Sequence, residues 1–97
     1  MNHSEKTAQL VNLVARVHGP RHPQLAEVKS LFHEVNQHYP ELNDIHTPSL
    51  EELKSKLARI RELSNDFHTP ADGCEGYQMM DASLAKYEEV VLSKLGG

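Results

Sequence analysis

The sequence predicts an all-α fold, an up-down-up-down four-helix bundle formed by a single domain over residues 1–97. Three observations carry that expectation. Apolar residues recur at helical spacing in four separate segments, the connections between segments are short and marked by Pro and Gly, and no stretch alternates apolar and polar residues as a half-buried strand does. A chain of 97 residues and this composition is long enough for one core built from Leu, Val and Ile, and too short for a second domain.

The first helix is expected over about residues 4–17, with Leu10, Leu13, Val14 and Val17 at i, i+3, i+4 and i+7 as its apolar face. Gly19 and Pro20 should end it, the glycine by adopting a left-handed conformation and the proline by breaking the hydrogen-bond ladder. A second helix follows over about 23–38, opened by Pro23 in its first turn and buried along Leu25, Val28, Phe32 and Val35. His46-Thr47-Pro48 and His68-Thr69-Pro70 read as two copies of one helix start, in which Thr caps free amides and Pro supplies a preset φ. The helices they open are expected over about 48–66, with Leu50, Leu53, Leu57 and Ile60 inward, and over about 70–94, with Tyr77, Met80, Leu84, Tyr87 and Val91 inward. Asp72 would complete a capping box with Thr69, although Gly73 and Gly76 predict an irregular start to this last helix.

Ten Lys and Arg against fourteen Asp and Glu give a net charge of −4, so neither a nucleic-acid partner nor a polybasic membrane contact is expected. No apolar stretch reaches the roughly 18 residues a bilayer span needs, and the N-terminal residues lack the pattern of an export signal. A reducing cytoplasm is the expected location, consistent with a single cysteine, Cys74, that has no basic neighbour in sequence and reads as a buried structural thiol.

Seven histidines are many for this length. In the bundle, the turn between helices one and two and the turn between three and four share an end, which places His18, His22 and His68 within reach of one another and of Asp66 or Asp72. Imidazole and carboxylate in that number suit zinc or another first-row metal. Solvated turn and cap histidines are the competing reading, because Gly19 and Pro20 interrupt the His18–His22 pair and no other pair has the i, i+4 spacing. His33-Glu34 lacks the second histidine of a metalloprotease helix. Lys54, Lys56, Arg59 and Arg61 against Glu51, Glu52 and Glu62 read as an exposed helix surface, and Met79-Met80 as core or gap filler.

Two stretches carry a family resemblance. Val14-Ala15-Arg16-Val17-His18-Gly19-Pro20-Arg21-His22-Pro23-Gln24-Leu25-Ala26-Glu27-Val28-Lys29-Ser30-Leu31-Phe32 resembles the first interhelical turn of the bacterial iron–sulfur-cluster repair proteins, whose main domain is a hemerythrin-like di-iron bundle. Leu57-Ala58-Arg59-Ile60-Arg61-Glu62-Leu63-Ser64-Asn65-Asp66-Phe67-His68-Thr69-Pro70-Ala71-Asp72-Gly73-Cys74 is similar to the turn between that domain's third and fourth helices, and the likeness continues through Tyr77 and Leu84. The two cover about half of the chain.

The resemblance implies a hemerythrin-like fold and, for a complete relative, iron held by His and Glu in repair of clusters under nitrosative or oxidative stress. The departures fall on the iron ligands. Helix two runs into His38-Tyr39-Pro40-Glu41, helix three opens at Ser49-Leu50-Glu51-Glu52 without a His-Asp pair, and helix four ends at Val91-Leu92-Ser93-Lys94-Leu95 without a His and Glu. His18 and His22 match positions that the family does not use for iron. The expected function is therefore a metal-free bundle, not an enzyme, acting as a binding or regulatory module or by self-association, with a homo-oligomer or a protein as partner. The alternative is an iron-binding repair protein like its relatives.

Overall fold

A computed structural model describes residues 3–44 and 49–95. The chain forms four helices, α1 (His3–His18), α2 (Gln24–Asn36), α3 (Ser49–Leu63) and α4 (Glu75–Lys94), with a 3₁₀ segment at Tyr39–Asp44 between α2 and α3. No strand occurs among the described residues, so the all-α bundle is the observed fold. The start signal His46-Thr47-Pro48 lies outside the described residues.

Helix α1 packs against α2 and α4, α2 packs against α3, and α3 touches α4 only slightly. The core runs through the middle of this arrangement. Val11 and Val14 of α1, Leu25, Val28, Phe32 and Val35 of α2, Leu53, Leu57 and Ile60 of α3, and Tyr77, Met80, Leu84, Tyr87 and Val91 of α4 are all buried. Leu42 closes the far end from the 3₁₀ segment, where Tyr39 stacks on Tyr87 with centroids 5.7 Å apart.

The inward stripes of α2 and α4 follow the expected spacing, as does that of α3 from Leu53 onward with Leu50 only half-buried, whereas that of α1 does not. Its buried positions are Ser4, Thr7, Val11 and Val14, which continue the 3-4-3 spacing along a face adjacent to the most hydrophobic one. The Thr7 and Ser83 hydroxyls, 2.6 Å apart, satisfy each other where α1 meets α4. Leu13 and Val17, expected inside, are 43% and 57% exposed. Ser4 and Thr7 are thus buried, Thr7 against Ser83 of α4, in place of Leu13 and Val17.

Three boundaries also differ from the sequence expectation. Helix α4 begins at Glu75, with extended Cys74 preceding it, so Thr69 and Pro70 open no helix and Asp72 completes no capping box. Thr69 instead donates to the Asp81 carboxylate at 2.7 Å. Helix α3 stops at Leu63, and Asn65, Asp66 and Phe67 follow with φ of 53°, 59° and 63°. Helix α2 ends at Asn36, its last carbonyls being taken up by the turn into the 3₁₀ segment. At Gly19 the backbone is not left-handed. Glycine is needed there because a Cβ would stand 2.3 Å from the Ala15 carbonyl oxygen.

Candidate functional site

The α1–α2 and α3–α4 turns meet at one end of the bundle and bring most of the chain's reactive side chains together. The turn after α1 keeps a helical rise, since the His22 amide donates to the His18 carbonyl at 2.9 Å. Helix α1 nonetheless ends at His18, as Gly19 and Pro20 predict, so the two histidines do not share one continuous helix. Both imidazoles lie against Tyr77 on the first turn of α4, with ring centroids 5.3 Å away for His18 and 5.6 Å for His22.

Each histidine meets a different partner. His18 Nε2 lies 2.9 Å from Cys74 Sγ, and His22 Nε2 lies 3.2 Å from Asp72 Oδ2. Cys74 is exposed, not buried, and the basic neighbour missing from its sequence surroundings arrives from α1, 56 residues away. Desolvation pushes the Asp72 carboxyl up, but the His22 hydrogen bond, a backbone amide and the charges of His22 and Arg21 outweigh it and hold the group below its ordinary value. Desolvation raises the Tyr77 phenol to about 12, helped by the charges of Asp81 and Asp72.

His68 stands apart from this pair. Its Nδ1 lies 3.2 Å from the Asn65 carbonyl oxygen within its own turn, and it is exposed. Beneath that turn is Asp81, only 2% exposed, which accepts from Thr69 through Oδ2 and has no hydrogen-bond partner for Oδ1 among the described residues. Burial raises the Asp81 carboxyl, against the opposing Thr69 hydrogen bond and His68 charge. His38 and His33 lie elsewhere, the latter 2.8 Å from Asn12 Oδ1 on the α1–α2 surface. His46 lies outside the described residues, as does the side chain of His3.

Among the described residues no three His, Cys, Asp or Glu side chains gather as a metal-holding group. The donor set also fits a di-iron centre poorly. Such a centre needs carboxylates and imidazoles projecting inward from the helices. The interior here is filled by Val11, Phe32, Val35, Leu53, Leu84 and Val91, and its two carboxylates are Asp81 and Glu88. Glu88 is committed to Arg61, which reaches it from α3 with Nε–Oε1 at 3.1 Å.

The charged face of α3 does more than coat the surface. Arg59 reaches Glu27 of α2 at 2.9 Å, and Lys56 reaches Glu34 of α2 at 3.3 Å. The Arg59 hydrogen bond holds the Glu27 carboxyl below its usual value, and Arg61 also binds Asp66 at 2.5 Å. These pairs staple α3 to both neighbours.

The second candidate surface is the outer face of α1. Leu13 and Val17 are exposed there, and Leu10 is half-buried beside exposed Met79 of α4. A shallow groove of about 290 Å³ runs between the two helices, lined by Lys6, Leu10, Met79, Ala82, Ser83 and Lys86. Met80, by contrast, is core. No described helix is long and apolar enough to cross a membrane.

Comparison with protein-family models, with curated proteins and with solved structures gave no match.

Proposed function

We propose that this chain is a hemerythrin-related bundle, akin to the cluster-repair family, that acts through its surface as a binding or regulatory module, without iron and without catalysis of its own. The observation that carries this reading is the second apolar stripe of α1. Leu10, Leu13 and Val17 follow a 3-4 spacing like the buried stripe beside them, yet Leu10 is only half-buried, Leu13 and Val17 are exposed among the described residues, and Met79 extends the patch onto α4. A helix with apolar residues on two faces has more hydrophobic surface than its own bundle uses, which is the pattern of a helix that packs against something further.

A second copy of the chain is the simplest occupant. A domain of 97 residues buries limited apolar area, and a stripe on one straight helix is self-complementary about a two-fold axis. The interior packing supports the metal-free half of the reading, because apolar side chains occupy the space that inward iron ligands would need.

Light scattering across a concentration series tests the association: a dimer is expected, and a strict monomer at high concentration removes self-association and leaves a different protein as partner. Metal analysis of protein purified without a histidine tag tests the other half. Stoichiometric iron with near-ultraviolet charge-transfer bands would overturn the proposal in favour of an iron-binding repair protein.

A further inference from the structure

We infer that Cys74 and His18 form a thiol–imidazole pair that makes Cys74 a site of reversible modification by small disulfides. The geometry has three parts. The nucleophile is exposed, so a small molecule reaches it without opening the bundle. The base comes from a different helix and sits within hydrogen-bond reach, with Nε2 2.9 Å from Sγ. The His18 ring also packs against Tyr77, which is buried in the core. A nucleophile and a base in hydrogen-bond contact are the arrangement by which proteins activate a side-chain nucleophile. Cys74 also sits at the N-cap of the 20-residue α4, outside the helix's own hydrogen-bond ladder.

The reaction is thiol–disulfide exchange. The Cys74 thiol gives its proton to His18 Nε2, and the thiolate attacks one sulfur of the small disulfide. The new bond between Cys74 and that sulfur forms as the disulfide's own S–S bond breaks. The departing thiolate takes the proton back from the His18 imidazolium. Cys74 is thereby oxidised to a mixed disulfide and the other half of the reagent is reduced to a thiol, with the histidine regenerated.

The surroundings select the reagent. Exposed Asp72 and Glu75 flank Cys74, and Asp72 is held ionised by His22. Two carboxylates beside the sulfur disfavour an anionic disulfide and favour a cationic one. The modification adds bulk where α1, α2 and α4 meet and displaces His18 from Sγ, so it acts on the end of the helix that carries the exposed Leu13 and Val17. The thiol chemistry does not depend on the docking proposal, and the two fail separately.

Because Cys74 is the sole cysteine, mass spectrometry of the whole chain with cystamine reads its reaction directly. The folded chain at pH 7 is expected to form the mixed disulfide at least about tenfold faster than the same chain unfolded in urea, once the urea effect on a free cysteine is subtracted, with His18→Gln losing most of that advantage. Equal rates in the folded and unfolded chain overturn the inference, as does a folded His18→Gln variant that reacts as fast as the unsubstituted protein. The first comparison needs no variant and stands even if His18→Gln does not fold.

Discussion

Asp81 sits almost wholly inside the bundle with one oxygen bound to Thr69 and the other unpartnered among the described residues. Burial raises its carboxyl above the ordinary aspartate value, so the folded chain holds the proton more tightly than the unfolded one does. For a carboxyl raised by folding, the stability it contributes is present below the unfolded value and is lost as pH rises through the folded value. Ionised Asp81 thus costs stability at neutral pH. Asp81→Asn keeps an acceptor for Thr69 and removes the charge, and is expected to raise the melting temperature at pH 7 by several degrees and at pH 4 by less. A gain of about 1 kcal/mol corresponds to roughly 4–8 °C in a domain of this size. Calorimetry at the two pH values checks it, and an equal change at both would refute the burial argument. Neither Asp81 nor the Cys74–His18 contact was visible in the sequence. Asp81 reads as one more acidic residue on a helix, and Cys74 as a thiol without a base, because the groups that define both come from distant segments.

At the scale of elements, the turn from α3 to α4 is the least ordinary segment. Three successive non-glycine residues, Asn65, Asp66 and Phe67, hold positive φ. Left-handed backbone costs about 1–2 kcal/mol for most residues and less for Asn and Asp. The turn persists because Arg61 overdetermines it: the guanidinium binds Asp66, covers the Phe67 ring at 5.3 Å and ends on buried Glu88, while the Ser64 hydroxyl accepts the Phe67 amide. Asn65→Val is expected to destabilise the chain by about 1–2 kcal/mol in denaturant unfolding, whereas Asn65→Gly should be near neutral. Arg61→Ala leaves Glu88 buried without its partner and is expected to lower the melting temperature by several degrees, with much of the loss restored by adding Glu88→Gln. If the single and double variants melt together, the loss does not come from leaving Glu88 unpaired. The expected helix start at this turn, His68-Thr69-Pro70, is part of the connection instead. Thr69 meets Asp81 instead of the free amides, and a side chain from another turn of the bundle decided the matter.

For the molecule as a whole, helix count, order and pairing follow from the apolar periodicity, and the shared end of the first and third turns follows from the topology alone. That logic brought His18 and His22 together and located Asp72 beside them, while His68 turned back on its own loop. The outer stripe of α1 was hidden for a specific reason. Leu10, Leu13 and Val17 are the more hydrophobic face, and a helix read in isolation points that face inward. If the stripe is an interface, Leu13→Glu with Val17→Glu should convert a dimer to a monomer in sedimentation equilibrium without loss of helicity. Both side chains are exposed within the single chain, so the fold itself has little to lose. A dimer that survives the double substitution would place the interface elsewhere.

The sequence alone determined that this chain is a four-helix bundle, because periodic burial is a local property that each segment states for itself. It also determined which ends of the helices share their turns, because short connections leave an up-down bundle no other choice. Which face of α1 is buried, where α4 begins, and which histidine meets the thiol were decided only by the tertiary structure. Each of these depends on a contact between residues that are not neighbours in sequence, Thr7 with Ser83, Thr69 with Asp81 and His18 with Cys74, and no local pattern encodes the partner.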